Sequence, residues 1–253
     1  MKYTKCAIIT GAGRGLGRLI AIRLARDYPV VLIGRTGVPL QTTRSLIEAK
    51  DGRAEAICGD VRDKSTLDAC LALLAQNRYT PEVLICNAGI GKSSKTHEVP
   101  ANDWAAVLAT NLTSVHSWSS AVIPSMIAQH HGTICLIGSV AGLRGIAYDS
   151  AYTASKHALV GLGKSMALEY GKHGIAVQIL CPGFIEGAMT DRSITSLAAR
   201  KGITTDEARS IIAKQSPLRE ILRSEDVAET VAYLCTTPGR QLSGNPIILG
   251  GTA

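Results

Sequence analysis

Tyr152-Thr153-Ala154-Ser155-Lys156 sets a phenol and an ammonium four residues apart. On a helix, positions i and i+4 share a face, so the two groups lie close together. A free tyrosine ionises near ~10, too high for easy base chemistry at neutral pH. A neighbouring cation favours the phenolate and lowers that value. The pair therefore reads as a general acid/base, Tyr152, tuned by Lys156. Spacing alone suits an exposed helix equally well, and Ser139 tips the reading. It follows the apolar run Thr133–Gly138, in Gly138-Ser139-Val140-Ala141-Gly142. Such a run leaves a strand at the carboxyl edge of a sheet, where open α/β sheets bind ligands. Its hydroxyl can hydrogen-bond a substrate oxygen. Asn111 stands within a helical stretch, where asparagine is a poor helix former. A strained or water-binding role and a tolerated surface position both fit it.

A second group of residues suits phosphate. Thr10-Gly11-Ala12-Gly13-Arg14-Gly15-Leu16-Gly17 joins the first strand to the first helix. The spacing is T-G-x-x-x-G-x-G, not G-x-G-x-x-G. Glycines let the backbone approach a pyrophosphate, and the helix N-terminus offers free N–H groups and partial positive charge. The second strand ends Ile33-Gly34-Arg35-Thr36. NAD-binding sheets usually place an acid here for the ribose hydroxyls. Here Gly34 has no carboxylate, and Arg35 and Arg14 could clamp a 2′-phosphate with charge-assisted hydrogen bonds. The cofactor expected is NADP, as NADPH, with NAD disfavoured. Asn87-Ala88-Gly89, after the fourth strand, could line the cofactor from the other side.

The elements that must position these groups alternate along the chain. Short apolar runs at Cys6–Thr10, Val30–Gly34, Glu55–Cys58, Glu82–Cys86, Thr133–Gly138, Ala176–Cys181 and Pro246–Leu249 read as strands. Helical periodicity fills 15–27, 38–51, 64–77, 102–129, 152–172 and 224–236. Strand–helix alternation with right-handed crossovers predicts a doubly wound, parallel, seven-stranded Rossmann-type sheet with helices on both faces. Residues 1–253 are read as one dinucleotide-binding and catalytic domain. Pro124 should kink or break the helix near 102–129. Residues 186–217 interrupt the rhythm with short helices and no strand, which suits a substrate lid, or plain packing.

Composition narrows the classes. The chain has 253 residues, 46% hydrophobic, 19% charged and 4% aromatic, with 25 glycines. Such a core is built from Ala, Val, Ile and Leu, as parallel strands under helices require. The net charge is +7. The Lys and Arg residues are scattered and not interleaved with aromatics, so nucleic acid is set aside. A basic chain also serves a phosphorylated cofactor or an anionic substrate. The seven cysteines form no C-x-x-C pair, and several lie in apolar runs, favouring a reducing compartment. No metal site is expected. No apolar run reaches a membrane span. The first strand begins by residue 5, so no leader is expected and the cytoplasm is the predicted location.

Together the motifs resemble the short-chain dehydrogenase/reductase superfamily, in its single-domain branch, over essentially the whole chain. They come in order: the glycine turn 10–17, Asp60-Val61, Asn87-Ala88-Gly89, Asn111, Ser139, Tyr152 with Lys156, and Pro182-Gly183. The resemblance implies that Tyr152 passes a proton to or from the substrate oxygen and that Ser139 orients that oxygen. Lys156 would bind the nicotinamide ribose and depress the Tyr152 pKa, while Asn111 would hold a relay water. Asp60 and Val61 would contact adenine, and Pro182, Gly183 and Ile185 would pack beside the nicotinamide. Three positions depart from the family pattern. Gly187 stands where a threonine is common, Cys86 where the first Asn of Asn-Asn-Ala-Gly is usual, and Leu249 where Asp-Gly-Gly begins. Thr190 or the backbone could stand in for the missing threonine.

The substrate expected is a ketone or secondary alcohol. The 188–217 segment mixes apolar residues with Arg192, Arg200, Lys201, Arg209 and Lys214. Its run after Pro182-Gly183 is similar to 3-oxoacyl-thioester reductases and hydroxyacyl dehydrogenases, which implies an acyl group on a carrier or coenzyme. A sugar, polyol or cyclic ketone is the alternative, and an inactive cofactor-sensing regulator the remote one. The family also implies a homotetramer or homodimer.

Overall fold

The computed structural model describes residues 4–252. The strands are β1 (Thr4–Thr10), β2 (Val30–Gly34), β3 (Ala54–Cys58), β4 (Tyr79–Cys86), β5 (Gly132–Ile137), β6 (Ile175–Pro182) and β7 (Pro246–Leu249). They form one parallel sheet in the order β3-β2-β1-β4-β5-β6-β7. The chain moves outward from β1 to β3, then returns to lay β4 beside β1. That reversal leaves a crevice at the carboxyl ends of β1 and β4, the place where such sheets take ligands.

Neighbouring residues of each strand point to opposite faces, and both faces are covered. Ile9, Leu32 and Val83 pack with α1 (Gly15–Leu24), α2 (Gly37–Glu48) and α9 (Ser224–Leu234) through Ile20, Leu24, Leu40, Val227 and Val231. Ile8, Val31 and Leu84 face the other way. They pack with α3 (Lys64–Gln76), α5 (Ser114–Gln129) and α6 (Ser150–Tyr170) through Cys70, Trp118, Met126 and Leu159. Burial on both faces is why these strands read as unbroken apolar runs. Each fully buried Leu or Ile contributes roughly 1.5–3 kcal/mol. Trp118 is 1% exposed and donates its indole N–H to the Val61 carbonyl at 3.0 Å, docking α5 on the turn into α3.

The helical stretch expected near 102–129 is interrupted, but not at Pro124. It consists of α4 (Ala101–Leu108), a π-helical turn Ala109–Thr113, and α5, which runs through Pro124 to Gln129. A proline withholds one N–H from the carbonyl four residues back. Here that residue is Ser120, which is exposed, so water can replace the lost partner. The π turn falls on Asn111, and such single wide turns are frequent at functional sites.

Residues 188–213 fold as two helices, α7 (Ala188–Lys201) and α8 (Thr205–Ala213), followed after α9 by the short α10 (Thr237–Arg240). Ile194, Ala198, Ala208 and Ile212 form a small core of their own with Phe184 and Ile221 beside it. No helix of the described residues is long and apolar enough to cross a membrane.

Candidate active site

Between β1 and α1 the glycine turn is shaped by close approach. A Cβ on Gly17 would meet the Gly11 carbonyl oxygen at 2.2 Å and Asn87 Nδ2 at 2.5 Å, so only glycine fits. Gly11 and Gly15 adopt φ of +70° and +53°. A Cβ on Gly15 would touch nothing within 4 Å, so the outer side of the turn is open. The α1 N-terminus has no side-chain cap and no acid in its first turn. An open glycine turn under an uncapped helix N-terminus fits the pyrophosphate of a dinucleotide. Two residues that the sequence reading passed over brace it. Arg18 Nη2 donates to the Gly13 carbonyl at 2.7 Å, and Arg18 Nε donates to Thr43 Oγ1 at 3.1 Å. Thr43, fully buried, donates in turn to the Ala12 carbonyl. Their signal in the sequence is only an arginine just past the last glycine and a threonine on the inner face of α2.

Thr10 joins the two sides of the crevice. Its hydroxyl donates to the Ile85 carbonyl at 3.2 Å and accepts the Asn87 and Ala88 N–H groups at 3.0 and 3.1 Å. Asn87 Nδ2 answers by donating to the Thr10 carbonyl at 3.0 Å. Cys86, the departure from Asn, is buried and faces the core.

At the outer end of the crevice, Gly34 and Cys58 are paired, and the Gly59 N–H donates to the Gly34 carbonyl. This closes β2 against the turn carrying Asp60. The Asp60 carboxylate accepts Arg62 Nε at 3.0 Å, Arg62 Nη2 at 2.8 Å and the Arg62 backbone N–H at 2.9 Å. Those bonds, with help from the charges of Arg62 and Arg35, hold its carboxyl below the usual range. Arg35 is exposed at this end, and Arg14 is exposed in the glycine turn. Arg62 was not singled out from the sequence.

Asn111, Ser139, Tyr152 and Lys156 come together at the carboxyl edge of β4 and β5. Asn111 is 1% exposed, which removes the surface reading. Its Oδ1 accepts the Ile90 N–H at 2.9 Å, and its Nδ2 donates to the Ile90 carbonyl at 2.9 Å and to Ser155 Oγ at 3.0 Å. Ser155, another residue the spacing argument missed, is fully buried and donates to the Tyr152 carbonyl at 2.7 Å. Lys156 Nζ donates to the Ile137 carbonyl at 2.6 Å and lies 5.6 Å from the centre of the Tyr152 ring. Gly89 sits against both: a Cβ there would lie 3.4 Å from Asn111 Oδ1 and 3.9 Å from Lys156 Nζ. Ser139 Oγ accepts the Ala141 N–H at 3.1 Å.

The electrostatics differ from the expectation for the Tyr–Lys pair alone. Burial pushes the Tyr152 phenol up, to about 12, and hydrogen bonding from Ser139 pulls it back. Lys156 is itself pushed down, to about 8, by burial. Desolvation thus acts on both members of the pair, raising the phenol and lowering the ammonium. The result is a phenol that keeps its proton at neutral pH, beside a serine hydroxyl that can polarise an oxygen.

On the third side, Pro182 closes β6 against Leu249, and the Gly183 N–H donates to the Leu249 carbonyl at 2.8 Å. A Cβ on Gly183 would meet the Gly250 carbonyl oxygen at 2.2 Å. Ile185 pairs with Leu222 and accepts the Thr190 hydroxyl at 2.5 Å. The Thr190 proton is therefore committed to bracing this loop. Gly187 takes φ +132° at the start of α7, a conformation that a threonine side chain would strain.

Comparison with known proteins agrees with this geometry. The family model for the short chain dehydrogenases matches residues 5–233. The chain is 32% identical over 253 residues to a 3-oxoacyl-(acyl-carrier-protein) reductase of Staphylococcus aureus, spanning 99% of this chain and 98% of that protein. It is 29% identical over 252 residues to the D-beta-hydroxybutyrate dehydrogenase of Rhizobium meliloti, covering 98% of each. A crystal structure of an actinorhodin polyketide ketoreductase variant with NADPH superposes with a TM-score of 0.93 at 29% identity, over 98% of this chain and 96% of that one. With its glycine turn, its sheet order and its Asn–Ser–Tyr–Lys set, the chain belongs to the short-chain dehydrogenase/reductase family, whose enzymes are nicotinamide-dependent oxidoreductases.

Proposed function

We propose that this protein is an NADPH-dependent reductase of a ketone, acting on a 3-oxoacyl thioester or a related 3-oxo compound. The observation behind the chemistry is the half-buried Tyr152, set at the carboxyl edge of the sheet against Gly91, with Ser139 and the Lys156 ammonium beside it. When bound, the nicotinamide supplies the hydride for reduction or accepts it in the reverse direction. Tyr152 gives its phenolic proton to the carbonyl oxygen as the new O–H bond forms. Ser139 Oγ already accepts the Ala141 N–H, so its own hydrogen is free to point at that oxygen. Lys156 spends one of its three N–H bonds on Ile137 and keeps two for the nicotinamide ribose. Both Asn111 Nδ2 hydrogens are used, so a relay water would be held through the second lone pair of Oδ1.

The preference for NADPH is supported by the exposed Arg14 of the glycine turn, the exposed Arg35 just after β2, and the lack of a carboxylate at Gly34. Gly11, Gly13, Gly15, Leu16 and Gly17 would receive the pyrophosphate, Asp60 and Val61 the adenine, and Pro182, Gly183 and Ile185 the nicotinamide. The thioester is supported by the resemblance to 3-oxoacyl reductases, and a free hydroxy or oxo acid by the relative named for hydroxybutyrate. The α7–α8 lid would close over that substrate. A cytoplasmic homotetramer or homodimer fits the same family reading. Titration with NADPH and NADH, then NADPH oxidation against a carbonyl panel that includes an acetoacetyl thioester, tests the proposal. Tighter NADPH binding with thioester turnover supports it. Tighter NADH binding overturns the cofactor, and activity only on sugars or cyclic ketones overturns the substrate.

A further inference from the structure

The turn after β3 carries a carboxylate whose acceptor positions are nearly all occupied. Asp60 Oδ1 accepts the Arg62 backbone N–H at 2.9 Å and Arg62 Nε at 3.0 Å, while Oδ2 accepts Arg62 Nη2 at 2.8 Å. An ionised carboxylate has about four lone-pair sites. Both on Oδ1 are filled, and one remains on Oδ2. The turn does not need this fork to keep its shape. The Gly59 N–H donates to the Gly34 carbonyl at 2.9 Å, and the Trp118 indole donates to the Val61 carbonyl at 3.0 Å. A Cβ on Gly59 would meet Thr66 Oγ1 at 2.2 Å, so α3 packs hard against the same turn. The backbone is thus held from β2, α3 and α5, and what Arg62 fixes is the direction of the Asp60 carboxylate. The Arg62 side chain is 41% exposed, and an ion pair so open to water adds little to stability.

A guanidinium fork on both oxygens sets a carboxylate in one plane. The same bonds hold the Asp60 carboxyl below its usual range, so at neutral pH it is ionised and can only accept. One free lone pair in a fixed direction matches one N–H donor and repels an oxygen presented at the same place. Among purines, a 6-amino group is such a donor and a 6-oxo group is an acceptor. We infer that Arg62 is a positioning residue for the cofactor's base: it aims the last free acceptor of Asp60 at the 6-amino group of adenine, which makes the site selective for 6-amino over 6-oxo purine dinucleotides. The inference rests on the nicotinamide-dinucleotide reading and adds how the base is chosen. A site built on a hydrogen bond rejects an analogue that cannot form it, because its own polar group is then left unpaired.

Fluorescence titration would compare NADPH with deamino-NADPH, in which an oxo group replaces the 6-amino group, on wild type, Arg62→Gln, Asp60→Ala and the double variant. NADH and deamino-NADH, titrated alongside, separate the base from the 2′-phosphate, and melting temperatures report intact folding. Wild type should bind the 6-amino form at least about tenfold more tightly. Arg62→Gln should cut that ratio to about threefold or less, and Asp60→Ala should abolish it. In the Asp60→Ala background, Arg62→Gln should change the ratio no further, because Arg62 acts through Asp60. A merely structural role would weaken both forms together and leave the ratio intact. That result overturns the inference, as does a wild type indifferent to the 6-amino group. A ratio that survives Asp60→Ala and falls only in the double variant overturns it too, since Arg62 would then read the base directly. A protein that prefers NADH overturns the NADPH assignment and leaves the base ratio to decide the inference. One that binds none of the four overturns the dinucleotide reading itself and the inference with it.

Discussion

The catalytic wall ties several of its polar groups to elements distant in the chain, whereas the lid opposite ties mainly to itself. Asn111 is held by Ile90 and Ser155, Lys156 by Ile137, and Thr10 by Asn87 and Ile85. The helices α7 and α8 share a small core separate from the two sheet cores, and α8 starts with its own capping box, Thr204 with Glu207. To the wall the lid offers few contacts: Arg200 on Tyr148, Gln215 on Arg144, and the Ile185–Leu222 bridge. On the proposed function, geometry that must not vary between turnovers is cross-braced, and the α7–α8 segment proposed to cover the substrate is joined to it by a few side-chain contacts.

The sharpest way to isolate the wall is Tyr152→Phe. It removes one oxygen, and a general acid is worth about 10²–10⁴-fold. Turnover should fall by that order while NADPH affinity stays within a few-fold, read by steady-state kinetics and fluorescence titration. Near-normal turnover would end the assigned role. Next in size is Arg35→Ala, which should weaken NADPH by about tenfold or more and leave NADH nearly unchanged. Equal losses in calorimetric titrations with the two cofactors would mean that Arg35 does not read a 2′-phosphate.

The wall was legible in the sequence because its signals are local. Tyr152 and Lys156 are one helical turn apart, the glycines are consecutive, and Ser139 directly follows an apolar run. What supports them was not legible, because it comes from far along the chain. Nothing in the spacing says that Arg18 will reach Thr43 or that Ser155 will meet Asn111. The π turn at Ala109–Thr113 was missed for a related reason. Proline is a strong local breaker, yet exposure at Ser120 let α5 absorb it, while the bond from Asn111 to the buried Ser155 coincides with the widened turn. Pair spacing also carries no information about desolvation, which acts on both Tyr152 and Lys156. The lid was legible as an interruption of rhythm, but not in what it would contact.

That desolvation gives a pH test of the wall. Reduction needs protonated Tyr152, which holds its proton up to about 12, and charged Lys156, which loses its proton near about 8. In reduction, kcat/KM should therefore be level below about pH 7 and fall as pH rises through about 8. Because Lys156 sits below its ordinary value, the fall belongs to loss of the ammonium and not to ionisation of the phenol. Lys156→Met should abolish that limb along with most activity. A decline that begins well below neutrality would assign the limb to another group.

The smallest effect concerns the lid. Arg200→Ala removes a cation from the face of Tyr148 and leaves the α7–α8 core untouched. Such contacts at exposed positions are worth about 0.5–1 kcal/mol, so KM for the ketone should rise about two- to fivefold. Neither kcat nor NADPH affinity should move beyond about twofold, since no group of the wall is changed. The separation of KM from kcat is the informative part. If Arg200→Ala lowered kcat as strongly as it raised KM, lid closure would be positioning the catalytic groups themselves. The lid and the wall would then be one mechanical unit, despite the few contacts that join them.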